Sequence, residues 1–163
     1  MKSKLSRALA CVLLVLTLPA LLLAAERPVQ LALFNPLQIF PEEDHVSVFR
    51  FNLIYGRNAS ITGIDLGLVN HTTSGLSKGI QWGLVSWNDA AFTGWQYNTV
   101  NVTKGQFKGL QLGLVNYTTA VRGLQVGFVN YTETAYGIQI GLVNVIKDGG
   151  DVLPVMPLVN WSF

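Results

Sequence analysis

The residues best suited to acid–base or metal chemistry are few and widely separated. His45 and His71 are the only histidines, 26 positions apart (45 to 71), and neither has a partner at the spacing of a metal site or a catalytic pair. The acidic run at residues 42–44 lies beside His45 and could hold a cation, but such a run is more typical of a solvated loop. We therefore predict no catalytic residue, no metal ligand and no cofactor, and a protein that is not an enzyme.

Two further sets of residues could bind sugars. Tryptophans and tyrosines stack on sugar rings, but near strand ends they favour a girdle at a membrane surface. The tryptophans are Trp82, Trp87, Trp95 and Trp161. Asn-X-Ser/Thr triplets accept glycans in eukaryotic secretory proteins, yet four of the six are copies of one repeat, where Asn followed by Thr fits a turn. The triplets begin at Asn58, Asn70, Asn101, Asn116, Asn130 and Asn160.

The first 25 residues have the pattern of a secretion signal. Lys2, Lys4 and Arg7 precede an apolar stretch at residues 8–25, and small residues end it before Glu26. An uncleaved membrane anchor is the alternative, because the stretch approaches the length of a spanning helix. The only cysteine, Cys11, lies inside this segment, so the mature chain is predicted to contain no disulfide and no thiol site.

The charge of the mature chain argues against nucleic-acid binding. The whole sequence has 11 basic and 9 acidic residues, and removing three basic residues with the signal leaves 8 against 9. The remaining cations are scattered along the chain, whereas a nucleic-acid surface clusters them.

A repeat dominates the rest of the sequence. Its form is Gly-Leu/Ile-Gln-X-Gly-Leu-Val-Asn, and the first glycines lie at steps of 14 to 16 residues. The copies begin at Gly63, Gly79, Gly94, Gly109, Gly123 and Gly137. The copy at Gly94 is degenerate, since Asn98 replaces the second glycine and Thr99 the leucine, and we expect a local irregularity there.

Each copy alternates with a period of two, which predicts a β-strand. Leu110, Leu112 and Leu114 share one face, and Gly109, Gln111, Gly113 and Val115 share the other. Each apolar run is too short for a spanning helix. With shorter strands before the repeats, we count about eight main strands. Residues 26–45 are predicted as an N-terminal extension with a short strand and an acidic loop, and residues 46–163 as a single β-repeat domain.

Two all-β folds are consistent with this pattern. The favoured one is an antiparallel meander of about eight strands, closed as a small barrel in the outer membrane. In that fold the leucine face contacts lipid, and a glycine and glutamine face points inward. The inward residues are Gly63, Gly67, Gln81, Gly83, Gln111, Gly113, Gln125, Gly127, Gln139 and Gly141.

The alternative fold is a parallel β-solenoid with 14–16 residue rungs. Here the leucines are predicted to stack inside, and the repeat asparagines to form a ladder at a corner. Those asparagines are Asn70, Asn101, Asn116, Asn130 and Asn144.

The chain resembles a bacterial family of exported surface-repeat proteins built from Gly-Leu-Gln-X-Gly-Leu-Val-Asn units, most of them uncharacterised. The likeness extends from about residue 30 to residue 163, including residues 34–41 and the final residues 157–163. It implies an exported envelope or surface protein, with no established activity and no catalytic residues to carry across. With the favoured barrel, we expect a structural or interaction module of the outer membrane or cell surface. The expected partner is outer-membrane lipid. A secreted or periplasmic module that binds glycan or lipid is the alternative.

Overall fold

The structure is a single β-sheet wound into a solenoid. The computed structural model describes residues 24–149 and 153–163, so the predicted signal peptide lies almost wholly outside the described residues. The strands are β1 (Glu26–Phe34), β2 (Leu37–Gln38), β3 (His45–Asn58), β4 (Ser60–Thr72), β5 (Ser77–Asn88), β6 (Phe92–Leu112), β7 (Val115–Val126), β8 (Val129–Ile146) and β9 (Val155–Ser162).

The all-β repeat fold is confirmed, but the barrel is wrong and the solenoid alternative is correct. The sheet order is β2-β1-β3-β4-β5-β6-β7-β8-β9, and every neighbouring pair from β1 to β8 along the solenoid is parallel. A meander would require antiparallel neighbours. Each turn of the chain, here called a rung, therefore stacks directly on the one before it.

Identical positions of successive repeats lie next to each other. Gly109 pairs with Gly123 and Gly123 with Gly137, and the flanking residues keep the same register. These first glycines are required by the backbone, because Gly123 has a φ of 140° and a Cβ there would lie 2.1 Å from the Gly109 carbonyl oxygen. A repeat whose glycines stack on glycines thus selects parallel stacking, in which every rung has the same neighbours.

Each rung consists of two extended segments joined by a bend. Leu114 and Val115 are consecutive and both exposed, which breaks the alternation of a straight strand. The two segments face each other across a narrow interior, where the Thr118 hydroxyl donates to Gln111 Oε1 at 3.0 Å. The same bend recurs at Phe128-Val129 and Leu142-Val143.

The interior of the solenoid is mainly polar, so the prediction that the leucines stack inside is wrong. Among the described residues, 7 hydrophobic side chains are buried against 26 polar or charged ones. A small apolar cluster of Phe92, Phe107 and Val121 fills one side of the interior. The inward face is the glycine and glutamine face that the barrel hypothesis predicted, and the leucine face points outward.

The two ends of the solenoid differ from its middle. Residues 26–45, predicted as an extension, contribute β1 and β2 to the same sheet. At the other end β9 pairs antiparallel with β8 and places Asn160 beside Gln139.

Candidate functional site

The centre of the interior is a column of hydrogen-bonded glutamines. Each side-chain amide donates from Nε2 to Oε1 of the glutamine in the preceding rung: Gln139 to Gln125 and Gln125 to Gln111 at 2.7 Å, Gln111 to Gln96 at 2.6 Å, and Gln96 to Gln81 at 2.7 Å. All five are completely buried. We call this set the glutamine column. Because every amide donates towards the N-terminal rung, one uninterrupted chain of hydrogen bonds runs along the solenoid.

The glutamine column ends on a buried ion pair. Gln81 donates to Asp65, which occupies the repeat position of the glutamine. Arg50, in the rung before, donates to both carboxylate oxygens of Asp65 at 2.7 Å. Arg50 also donates to the His71 carbonyl at 3.0 Å and to Asn58 Oδ1 at 3.3 Å. The bidentate pairing and these extra bonds compensate a charge pair that no water reaches.

A second buried column, of asparagines, has the opposite direction. Asn101 donates from Nδ2 to Oδ1 of Asn116, Asn116 to Asn130, and Asn130 to Asn144, at 2.7 to 2.8 Å. The predicted asparagine ladder is therefore confirmed over these rungs. It is interrupted at Ser86, which donates to Asn101 Oδ1 at 3.0 Å.

The second glycine of each repeat makes room for the asparagine column. A Cβ on Gly127 would lie 2.7 Å from Asn116 Nδ2 and 2.5 Å from the Gly113 carbonyl oxygen. In the degenerate copy, Asn98 fits this place by donating to Asn101 Oδ1 at 2.8 Å. The expected irregularity is thus absorbed inside the solenoid without a break in the pairing of Gly83 with Asn98.

The outer surface is strongly apolar along one edge. The bends form a line of exposed side chains that we call the apolar ridge: Leu68, Leu84, Leu114, Val115, Phe128, Val129, Leu142 and Val143. The outer side of the first segment, here the leucine face, continues this surface with further exposed residues. They include Ile64, Ile80, Trp82, Trp95, Tyr97, Ile138 and Ile140. A contiguous apolar surface of this kind marks an interaction site.

The opposite edge of the solenoid is polar. It is formed by the connections that begin three residues after the repeat asparagine position and lead towards the next first glycine, and its described charged residues include Asp89, Lys104, Glu133, Lys147 and Asp148. Each rung is therefore amphipathic, with the apolar ridge on one edge and this polar edge on the other.

A notch interrupts the leucine face at the degenerate repeat. Thr99 stands where four of the other copies have leucine and one has Phe128, and a groove there is lined by Tyr97, Leu112, Leu114, Val126 and Phe128. Trp95 lies on the same rung as Thr99 and Trp82 on the rung before; they are 61% and 57% exposed, but the aromatic side chains that line the groove are Tyr97 and Phe128. Aromatic side chains thus flank an apolar groove.

His45 and His71, the only histidines of the sequence, contact different residues. His45 Nδ1 lies 2.6 Å from Ser60 Oγ. His71 links Tyr55 to Asp89, with 2.8 Å from the phenol to Nδ1 and 2.8 Å from Nε2 to Asp89 Oδ2. A neutral ring with its proton on Nε2 satisfies both bonds. Burial raises the pKa of the Tyr55 phenol.

Asp89 is the centre of a polar cluster on the outer surface. It accepts hydrogen bonds from Lys104, His71 and the Trp87 indole. Burial alone would raise the pKa of this carboxyl, but the three hydrogen bonds outweigh it and hold the pKa far below its ordinary value. Lys104 also lies 4.8 Å above the Trp87 ring, so the cluster ties three rungs together.

Two acidic side chains of the run at residues 42–44 pair with different arginines. Asp44 pairs with Arg27 at 2.8 Å and Glu42 with Arg57 at 3.0 Å. Burial raises the pKa of Asp44, but hydrogen bonds from Arg27 and the Ala25 amide lower it overall. Within residues 24–149 and 153–163, no group of three potential metal ligands is assembled.

The aromatic residues fall into two groups. Trp82, Trp95 and Tyr97 lie on the leucine face, whereas Trp87, Tyr117 and Tyr131 lie on the outer side of the second segment, where the two tyrosine rings stack at 5.2 Å. Sequence reasoning missed the ion pair of Arg50 and Asp65. Its signal was an aspartate at a glutamine position of the repeat.

Searches for related proteins give no further assignment. No family model, curated protein or solved structure matches the chain. In the described part of the chain, no helix has both the length and the apolar character needed to cross a membrane.

Proposed function

We propose that this protein is a non-enzymatic interaction module of the bacterial cell envelope, which attaches to the outer membrane by seating its apolar ridge in one lipid leaflet. The observation that carries the proposal is the inverted distribution of side chains, with amides inside and leucines outside. Water does not stabilise such an exterior, because exposed apolar surface costs about 25 cal/mol per Å² relative to burial. Lipid covers it without requiring any partner protein.

The interior of the protein suits this environment. Buried glutamines and asparagines donate to one another along the solenoid, and the backbone groups of the inner rungs pair with neighbouring rungs. Polar groups in an apolar medium must be satisfied internally. The polar edge remains available to water, which supports a module that lies in the membrane surface.

The dimensions of a rung match one leaflet. From Arg122 beside the polar edge to Phe128 on the apolar ridge is six residues, which is up to about 20 Å of extended chain. Half of a bilayer measures about 15 Å of hydrocarbon and about 20–22 Å with its headgroups. A ridge seated near the middle of the bilayer therefore leaves the polar edge at the headgroups.

Vesicle flotation tests this attachment. The purified exported protein is mixed with neutral phosphatidylcholine vesicles, and the bound fraction is compared with that of Phe128→Glu/Leu142→Glu on the apolar ridge. We expect at least a tenfold loss of binding for that variant. Thr119→Glu/Thr134→Glu on the polar edge is the control with the same charge change and should bind as the parent does.

Two outcomes would contradict the proposal. One is equal flotation of the ridge variant and its control, and the other is recovery of the folded parent protein in the soluble periplasmic fraction of a Gram-negative host. Circular dichroism of each variant establishes that the solenoid is folded before binding is compared.

A second candidate function is the binding of a single apolar ligand in the notch at Thr99. The groove favours it, because apolar walls that include the aromatic rings of Tyr97 and Phe128 suit an acyl chain. Thr99→Leu restores the leucine of the repeat and should abolish binding of a fluorescent fatty acid. Thr93→Leu, at an outward position on the same rung, is the control. Equal binding by both variants would exclude the groove.

A further inference from the structure

A row of basic residues lines the border between the leucine face and the polar edge. The position immediately before the first glycine of each repeat is Lys78, Lys108 or Arg122 in three of the six copies, and each of these side chains is exposed. We call these three residues the basic row. They project from the same side of the solenoid, since that position pairs with itself from rung to rung, as Lys108 does with Arg122.

The basic row lacks acidic partners within the described residues. The ion pairs found there involve Arg27, Arg50, Arg57, His71 and Lys104 and include no member of the row. Asp89 and Glu133 lie three residues after the repeat asparagine position, on the polar edge, and Asp89 is already paired with His71 and Lys104. The cations of the row are therefore available to an external anion.

Two members of the row adjoin an apolar pocket. Lys108 and Arg122 line it together with Leu124, Ile138 and Phe163. The Arg122 guanidinium lies 5.0 Å above the ring of Tyr136, which forms a T-shaped pair with the ring of Phe163 at a centroid distance of 5.7 Å. The stacking fixes the position of the guanidinium beside the apolar wall. A pocket lined by both cationic and apolar side chains matches the two parts of a charged lipid, its headgroup and its acyl chains.

We infer that Lys108 and Arg122 form a binding site for the headgroup phosphate of an anionic lipid, whose acyl chains lie along Leu124 and Ile138. The inference rests on the proposed attachment to a leaflet and adds a headgroup preference to it. Charge complementarity selects a membrane surface as the occupant, because the basic row lies at headgroup depth when the apolar ridge is seated. The chain from Glu26 onward has 8 basic and 9 acidic residues, so attraction by net charge does not account for such a preference.

The test compares two vesicle compositions. The purified exported protein is partitioned onto phosphatidylcholine vesicles and onto vesicles in which about a third of the lipid is phosphatidylglycerol. A basic residue at the surface of an anionic membrane contributes a factor of about five in affinity, so two residues predict a gain of roughly 25-fold. High salt should remove most of this gain and leave binding to neutral vesicles unchanged.

Matched variants assign the gain to the site. Lys108→Gln/Arg122→Gln should lose most of the roughly 25-fold gain while keeping its affinity for neutral vesicles. Lys104→Gln/Lys147→Gln removes the same charge from the polar edge on the other segment and should keep the gain. An equal loss in both variants, or a parent protein with no gain, would overturn the inference while leaving the leaflet proposal intact. Failure to bind neutral vesicles would instead contradict the leaflet proposal itself.

Discussion

Gln81 donates a hydrogen bond from Nε2 to Oδ2 of Asp65 at 2.9 Å, and this contact joins the repetitive interior to a charged end. Every glutamine of the column needs an acceptor in the preceding rung. At the last step a carboxylate supplies it, and Arg50 neutralises that carboxylate. A repeat of identical amides therefore ends on a specific ion pair.

The contributions of Arg50 and Asp65 to the free energy of unfolding should be strongly coupled. Arg50→Met leaves the buried Asp65 carboxylate without its counter-charge, and we expect the free energy of unfolding to fall by about 3–5 kcal/mol. The double variant Arg50→Met/Asp65→Gln extends the glutamine column by one rung and should lose much less than the sum of the two single losses. Urea unfolding followed by circular dichroism measures all four proteins, and additive losses would refute the coupling.

The glutamine column should contribute to stability at each rung. Gln111→Leu preserves volume but removes the acceptor of the Thr118 hydroxyl, and it leaves the Gln96 carbonyl and the Gln125 amide with only their longer bonds, from Thr103 at 3.4 Å and to Thr118 at 3.3 Å. We expect a loss of about 2–4 kcal/mol in the free energy of unfolding, since an unpaired buried group costs about 1–3 kcal/mol. The exposed Leu114→Gln is the control and should change stability by about 0.5 kcal/mol or less. Similar losses of unfolding free energy in the two variants would contradict a contribution of the glutamine column to stability.

The Asp89 cluster should make the free energy of unfolding depend on pH in the acidic range. The folded-state pKa of Asp89 is lowered from its ordinary value of 3.8, so its contribution is complete above about pH 4–5 and decreases as the pH falls below that value. Asp89→Asn removes this contribution, and the stability difference between parent and variant should shrink between pH 5 and pH 2.5. Thermal unfolding across this range measures it. A constant difference would show that Asp89 does not titrate in this way.

A complete rung should be removable. Deleting residues 109–122 removes 14 residues and places Lys108 directly before Gly123, which keeps every column in register. We expect the shortened protein to give a β-sheet circular dichroism spectrum, to unfold cooperatively and to have a moderately lower melting temperature. Solenoid stability is approximately a sum over rungs and their interfaces. Deleting residues 109–115 shifts the columns and should abolish folding. Equal behaviour of the two deletions would argue against register as the organising feature.

Much of the local structure was predictable from the sequence. Alternation identified the strands, and it placed Gln111 and Gly113 on one face and Leu112 on the other. The seven-residue step from first glycine to asparagine is constant, as from Gly109 to Asn116 and from Gly123 to Asn130. The variation of 14 to 16 residues is therefore confined to the polar turns, where extra length is tolerated.

The closure of the sheet and the direction of its faces were harder to predict. A period of two shows which residues share a face but not which face is buried, and apolar residues are usually inside. Here the inner volume is too narrow for a leucine from each segment, because Gly113 and Asn116 occupy it together. Antiparallel and parallel stacking also give the same alternation. The stacking of Gly109 on Gly123, visible only in three dimensions, decides between them.

The reversed direction of β9 limits how far the solenoid pattern extends at that end. Gly141 faces Leu158 across this last pairing, and Gln139 faces Asn160, so neither the glycines nor the glutamines continue into the terminal strand. Head-to-tail stacking of the repeat pattern, to which regular β-stacks are prone, therefore finds no matching glycine or glutamine position on β9.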